Sequence, residues 1–260
     1  MRSGGFFRKA RITILLGVLF FVSMNSWLTR LRSTDWNEAL WVVVYPVNGD
    51  NSPVSQAYID TLSADSFNSV ESFLANEAQR YGKTIVNPVT VRLAPPVNAL
   101  PPQPPINGST LSVMIWSLKL RYWAWRNDNF GGPQPDVQMF VVYHDPGTHT
   151  RLRHSLGLQK GMIGVVNAYA SRTMVQRNNI IIAHEFLHTL GASDKYDRNN
   201  NQPLYPDGYT EPDKSPLFPQ QTAEVMAGRI PLSRSEAVMP ASAAGLRIGS
   251  RTAREINWIN

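Results

Sequence analysis

Residues 180–194 read Ile-Ile-Ile-Ala-His-Glu-Phe-Leu-His-Thr-Leu-Gly-Ala-Ser-Asp, an apolar run that leads directly into two histidines. Its apolar residues recur at helical spacing, which predicts a buried helix over 175–190. His184 and His188 are four residues apart, so on a helix both imidazoles project from one face toward a single ion. Glu185 occupies the place from which a carboxylate accepts a proton from a metal-activated water. The spacing therefore predicts a catalytic zinc site of the HExxH type.

The residues after the helix supply a candidate third ligand. Gly191 lies three residues past His188, where helices commonly end in the left-handed conformation. A chain that turns at this point brings Asp194 back toward the two histidines. Catalytic zinc takes three protein ligands, and a carboxylate serves beside two histidines in several zinc peptidases. Asp197 is the competing third ligand, and Glu224 is a weaker candidate.

The pattern HExxHxxGxxD over 184–194 resembles the zinc motif of the metzincin metalloproteases, with aspartate in place of the last histidine. This variant is similar to the snapalysin-type enzymes. The resemblance implies a zinc metalloendopeptidase that hydrolyses peptide bonds with Glu185 as general base. It also implies a zincin-like fold, a mixed twisted sheet beside an active-site helix. The Zn²⁺ ligands that it implies are His184, His188 and Asp194.

Metzincins also have a methionine turn beneath the zinc, a few dozen residues after the motif. Met226 is the candidate for that methionine, and Met239 is the alternative. The family's tyrosine two residues after the turn methionine is missing, because position 228 is Gly. The resemblance covers roughly residues 176–230 and implies little about the first half of the chain.

Strands and helices alternate along the chain, which predicts an α/β fold with a mixed sheet. We expect the strand over 137–143 to form the sheet edge along which an extended peptide docks. We also expect the aromatic residues of the helix over 110–126 to pack in the core. The apolar patterns predict strands at 40–45, 89–93, 137–143 and 164–167, and helices at 54–81, 110–126, 175–190 and 250–259.

The chain is basic overall, with a formal net charge of +6, but the distribution of charge argues against a nucleic-acid partner. Residues 1–33 contain six basic residues and no acidic residue. The remainder has 19 basic and 19 acidic residues, so the excess positive charge belongs to the N-terminal segment and not to a binding face. The six are Arg2, Arg8, Lys9, Arg11, Arg30 and Arg32.

An apolar run at 12–28 follows the first basic residues, and its 17 positions reach the lower limit for a helix that crosses a bilayer. No Ala-x-Ala-like cleavage site follows, which favours an uncleaved signal anchor over the cleaved peptide of a secreted protein. The preceding basic residues predict that the N-terminus stays in the cytoplasm. We therefore expect residues 1–33 to be a cytoplasmic tail and membrane anchor, and residues 34–260 to be an extracytoplasmic catalytic domain.

Two loops are also predicted. Six prolines between 94 and 107 predict an extended surface loop within the catalytic domain. Residues 194–213 are rich in carboxylate and amide oxygens, and they form either a plain polar loop or a loose Ca²⁺ site. The chain has no cysteine, so disulfides and thiolate metal sites are excluded.

The sequence leaves three functions open, with a peptide or protein as the expected substrate. One alternative is a zinc-binding envelope protein without turnover that acts as a binding or scaffolding module. Glu185 argues against it, because structural zinc sites usually have four protein ligands and need no general base. The other alternative is a hydrolase of non-peptide amide bonds, since the same site chemistry serves both substrates.

Overall fold

A five-stranded mixed sheet forms the centre of the computed structural model, which describes residues 11–13, 16–17 and 35–260. Its strands lie in the order β2-β1-β3-β5-β4. Four strands run parallel, and β4 pairs antiparallel with β5. This arrangement confirms the predicted mixed α/β architecture. The strands are β1 (Leu40–Asn48), β2 (Val89–Leu93), β3 (Val137–His144), β4 (Leu156–Leu158) and β5 (Ile163–Tyr169).

Helices cover both faces of this sheet. Helices α2 and α4 pack with the C-terminal part of the chain on one face, and α3 packs on the other. Side chains of β1 alternate accordingly, with Val42 and Val44 on the first face and Val43 and Tyr45 on the second. The helices are α1 (Pro53–Ile59), α2 (Asn68–Arg80), α3 (Thr110–Arg126), α4 (Val175–Leu190) and α5 (Ser250–Glu255). Four two-residue strands follow α4, namely β6 (Ala223–Glu224), β7 (Ile230–Pro231), β8 (Ala237–Val238) and β9 (Leu246–Arg247).

The prediction of one helix over 54–81 is wrong, because α1 and α2 are separate. Ser63 begins a short 3₁₀ turn between them, and its backbone N–H donates to Ser66 Oγ while the Ser66 N–H donates to the Ser63 carbonyl. Serine side chains compete in this way with helical backbone hydrogen bonds. The final helix likewise ends at Glu255 rather than at residue 259.

The expectation that strand 137–143 lies at the sheet edge is also wrong. Strand β3 lies between β1 and β5 and is hydrogen-bonded to both. Its nearly continuous apolar sequence is the pattern of a parallel strand buried on both faces. The sheet edge that contacts α4 is formed by β4. This strand has only three residues, too few to give a recognisable strand pattern in the sequence.

The core-packing expectation for α3 holds for only part of the helix. Trp116 is 9% exposed and packs on the sheet, but Tyr122 and Trp125 are 65% and 71% exposed. These two lie on the outer face because α3 has apolar residues all round its circumference. The Pro-rich segment 94–107 crosses this side of the protein as an extended loop, and the Trp116 indole N–H donates to the Pro102 carbonyl at 2.8 Å.

The expected membrane anchor at 12–28 falls almost entirely outside the described residues. Within the ranges that the structure describes, no helix has the length and apolar character needed to cross a membrane.

Candidate metal centre

Helix α4 carries the HExxH motif and ends where the sequence predicts. Gly191 has φ 105°, in the left-handed region, and follows the last helical residue directly. The Ala192 N–H then donates to the Leu187 carbonyl at 3.0 Å, which closes the helix end. The chain reverses direction at this glycine, and the reversal carries Asp194 back beside the motif.

The structure brings together the three residues proposed as ligands. Asp194 Oδ1 lies 3.4 Å from His184 Nε2 and 2.9 Å from His188 Nε2. Zinc bonds of 2.0–2.1 Å in tetrahedral geometry place neighbouring ligand atoms about 3.4 Å apart. The spacing of the three side chains therefore fits one zinc ion with only a small displacement.

Backbone carbonyls orient both imidazoles. His184 Nδ1 lies 2.9 Å from the Val225 carbonyl, and His188 Nδ1 lies 2.7 Å from the Ala192 carbonyl. Because a carbonyl oxygen only accepts, each Nδ1 carries the hydrogen, and each Nε2 of a neutral ring presents a lone pair. Two lone pairs then face the Asp194 carboxylate, so the arrangement needs a cation, either a metal ion or an added proton.

The pKa shifts of Asp194 and His184 also indicate that this group is suited to hold a cation. Burial raises the pKa of Asp194, but in the absence of a metal its contacts with protonated His184 and His188 and with Arg198 outweigh the effect of burial and hold the pKa well below its usual range. Burial lowers the pKa of His184, but the contacts with Asp194 and neighbouring Glu185 raise it overall. Arg198 Nη2 donates to Asp194 Oδ2 at 2.8 Å, which leaves Oδ1 facing the histidines. Asp194 is thus an ionised carboxylate with one oxygen aimed at the candidate metal position.

The competing ligands lie elsewhere. Asp197 Oδ1 accepts from the backbone and side-chain amides of Asn199 within its own loop. Among the described residues, two groups of histidine and carboxylate side chains are close enough to share an ion, and neither contains Asp197, Asp207 or Asp213. Calcium in the 194–213 loop stays a prediction.

Glu224 is not a ligand candidate in the structure, because both of its carboxylate oxygens accept hydrogen bonds from neighbouring protein groups. One of its oxygens accepts from the N–H groups of Met226 and Ala227, and the other accepts from the Gly249 N–H and the Thr252 hydroxyl. Met226 itself is fully buried in the main core. This turn also carries the Val225 carbonyl that orients His184, so Glu224 fixes a partner of the first histidine.

Glu185 lies on the cleft side of α4 and is only 6% exposed. Its Oε2 atom is buried and has no hydrogen-bond partner among the described residues. Burial raises the pKa of Glu185, although the nearby histidines lower it in part. A buried carboxylate without a partner and with a raised pKa is suited to accept a proton from a bound molecule.

Glu255 of the C-terminal helix α5 contacts both neighbours of Asp194, a set of contacts that we call the clamp and that the sequence did not indicate. The Glu255 carboxylate accepts from the Ser193 N–H at 2.9 Å and from Lys195 Nζ at 2.7 Å. Ser193 and Lys195 are the two neighbours of Asp194 in the chain, so α5 holds the ligand-bearing segment from both sides. Glu255 is 62 residues from Ser193 and 60 residues from Lys195 along the chain, and no spacing rule links positions so far apart.

Strand β4 approaches α4 closely at Gly157, a second feature that the sequence did not indicate. A side-chain carbon at this position would overlap the Glu185 carbonyl and lie 2.6 Å from His188 Cβ. The glycine therefore lets the edge strand lie directly against the motif helix.

A cleft of about 350 Å³ opens beside Glu185 and His184. The 150–155 loop before β4 forms one wall, and Gly228 and Met239 also line the cleft. Glu185 is the one acidic residue among the described lining residues. Four arginines line the cleft: Arg151, Arg153, Arg177 and Arg229.

Neither the comparison with protein-family models nor the search of curated proteins found a match for this chain.

Proposed function

We propose that this chain is a zinc-dependent peptidase, with a metzincin-like zinc site formed by His184, His188 and Asp194. The observation that carries the proposal is the convergence of two Nε2 lone pairs and one carboxylate oxygen beside the unpartnered Glu185 carboxylate, at the wall of an open cleft. Three protein ligands and a neighbouring general base are typical of catalytic zinc sites.

Glu185 accepts the proton of the attacking water on its unpartnered oxygen and delivers it to the amine of the leaving product. Bound zinc would polarise the scissile carbonyl and lower the pKa of the attacking water. Arg198 and the two backbone carbonyls keep the ligand atoms in position while the proton moves.

An extended substrate would add to the outer edge of β4. This strand is the sheet edge closest to α4, and Gly157 brings it against the helix that carries Glu185. A peptide that pairs with Leu156–Leu158 gains main-chain hydrogen bonds and lies next to the cleft. Strand β4 thus takes the docking role that the sequence assigned to 137–143.

The cleft favours acidic substrates. Four arginines and one carboxylate give the lining a net positive charge, and Arg153 and Arg177 are exposed. Glutamate or aspartate near the scissile bond would pair with these guanidinium groups.

Tyr196 is the phenol that we propose to stabilise the transition state, in place of the tyrosine missing at position 228. Its ring lies 6.2 Å from the His184 ring, and the residue lines the cleft. Burial raises the pKa of its hydroxyl above the ordinary value of a tyrosine, so the hydroxyl keeps its proton at neutral pH and can donate to a developing oxyanion.

We also propose that residues 1–33 anchor the catalytic domain at a membrane, with the domain on the extracytoplasmic side. The charge and apolar pattern of the sequence support this placement.

Glu185→Gln tests the function. We expect the full-length protein to cleave an unbiased peptide library, and the variant to lose about 10³-fold in kcat/KM while it keeps its bound zinc. A zinc-loaded wild-type protein that cleaves no peptide would overturn the peptidase proposal. Parallel assays on non-peptide amides then separate another hydrolase from a binding module.

A further inference from the structure

We propose a second metal site, formed by Asp50, His144 and His149, that binds a zinc-class divalent cation and fixes the loop forming one wall of the cleft. Two imidazoles and a carboxylate suit zinc, since nitrogen and oxygen ligands of this kind bind it at about 2.0–2.2 Å. Nothing in the HExxH motif involves these residues, and they approach one another only through the fold.

Sheet topology assembles the group. Strands β1 and β3 are parallel neighbours, with Asn48 opposite Tyr143, so their carboxyl ends lie side by side. Asp50 follows the end of β1, and His144 is the last residue of β3. His149 belongs to the loop that leaves β3.

The distances suit a shared ion. One ligand atom from each of the three residues lies within 4.8 Å of the other two. His149 Nδ1 lies 3.5 Å from Asp50 Oδ2, close to the separation of about 3.4 Å expected around tetrahedral zinc. The His149 side chain is 39% exposed and so has freedom to close the remaining gap.

The surroundings of His144 prepare it as a ligand. The Asn167 side-chain N–H donates to the His154 carbonyl, which turns Asn167 Oδ1 toward His144 Nε2 at 3.2 Å. An amide oxygen only accepts, so His144 Nε2 carries the hydrogen and Nδ1 has the lone pair. That Nδ1 atom is buried and has no hydrogen-bond partner among the described residues. A bound cation would satisfy it.

Asp50 is held in place as the carboxylate of the group. Its Oδ2 accepts from the Asp145 N–H at 2.7 Å, and its Oδ1 accepts from the Ser52 N–H at 3.0 Å. Gly49, just before it, leaves room for the His144 ring, because a side-chain carbon there would lie 2.5 Å from His144 Cε1.

Occupancy of this group would act on the cleft through the 145–155 loop. His149 lies inside the loop, and residues 150–155 line the cleft beside Glu185. Asn167 links the two regions, since its backbone N–H donates to Ser155 Oγ and its side chain contacts both His144 and the His154 carbonyl. A cation on His149 therefore restrains the cleft wall. This consequence rests on the proposed function, whereas the metal site itself does not.

A metal count tests the site, because the chain has five histidines and four of them lie in the two groups. We expect the purified full-length protein, equilibrated with zinc and freed of excess, to hold two zinc ions per chain. His149→Ala should hold one, His188→Ala should hold one, and the double variant none. His154→Ala is the matched control, a histidine of the same loop outside both groups, and should hold two.

Limited trypsin digestion gives a second measurement, which does not depend on catalysis. Arg151 and Arg153 are exposed in the loop, so cleavage there reports how firmly the loop is held. Added zinc should slow this cleavage at least tenfold in wild type and in His188→Ala, but not in His149→Ala.

If wild type and His149→Ala hold equal zinc, the second site does not exist, and Asp50 and His149 form only an ion pair. If His149→Ala loses one zinc but zinc never changes the digestion, the proposed effect on the loop is wrong. If the wild type holds only the zinc that depends on His149, and His188→Ala holds as much zinc as the wild type, the result counts against the proposed function and not against the second site.

Discussion

The two histidine–carboxylate groups have the same ligand types but are built in different ways. His184 and His188 belong to one helix, and carbonyl groups fix both rings. His144 and His149 belong to a strand end and its loop, and their carboxylate, Asp50, lies just after the end of a different strand, β1. Carbonyl contacts therefore orient the histidines of the first group before any ion binds, whereas His149 of the second group lies in a loop that the ion would hold.

The two groups also differ in the carboxylate that lies next to each of them, and this difference indicates different roles. Beside the first group lies Glu185, a buried carboxylate with an unpartnered oxygen, on an open cleft. The carboxylate beside the second group, Asp145, accepts from the Gly147 N–H within its own turn. We infer that the first group is suited to proton transfer and the second to holding the 145–155 loop.

Removing one histidine from each group gives the largest contrast. On the proposed function, His188→Ala should lower kcat/KM by 10³-fold or more, because the proposed zinc would be lost from beside Glu185. His149→Ala should lower it tenfold at most, through a looser cleft wall. Initial rates on one peptide, with zinc counted in the same samples, measure both. If His149→Ala were as inactive as His188→Ala at full occupancy of the first site, the division of roles would be wrong.

The first group was predictable because its geometry is local. Spacing of four on a helix sets the positions of His184 and His188, and a glycine at the helix end predicts the turn to Asp194. The structure places these residues as the pattern indicates, down to the left-handed Gly191. Local rules also located most helices and strands, since apolar periodicity reports which face is buried.

The second group was not predictable because its members meet through strand pairing. Asp50 and His144 are 94 positions apart, and only the neighbouring places of β1 and β3 bring them together. The same limit applies to Glu255, which reaches the Asp194 segment from the C-terminal helix. It also explains the error over the edge strand, since apolar content shows that β3 is buried without showing which strands flank it.

Gly157→Val tests how far the first group depends on the edge strand. The added side chain would push β4 away from α4, so we expect a loss of about 1–3 kcal/mol in the free energy of unfolding and about 10²-fold in kcat/KM. Gly131→Val is the control, because a side-chain carbon at that position has no neighbour within 4 Å. Denaturant titration and peptide cleavage check the pair. Equal behaviour of the two variants would contradict the close packing of β4 on the motif helix.

The smallest effect should come from the clamp on the Asp194 segment. Glu255→Gln weakens the contacts to Ser193 and Lys195, so we expect zinc affinity at the first group to fall about tenfold, and affinity at the second to stay unchanged. Competition with a chromophoric chelator measures both affinities. Equal weakening of both groups would show general loosening rather than a local role.

The pH dependence of stability isolates the charge in this clamp. Burial raises the pKa of Glu255, but hydrogen bonds from Lys195 and Ser193 lower it overall. A carboxyl group with a lowered folded-state pKa stabilises the protein above its unfolded pKa, about 4.3, and this stabilisation disappears as the pH falls through the folded value. With metal chelated, wild type should therefore exceed Glu255→Gln by about 1–3 kcal/mol in unfolding free energy at pH 7, and the gap should shrink below about pH 4.5. A gap that stays constant down to pH 3 would mean that packing, and not the ion pair with Lys195, holds the ligand segment of the first group in place.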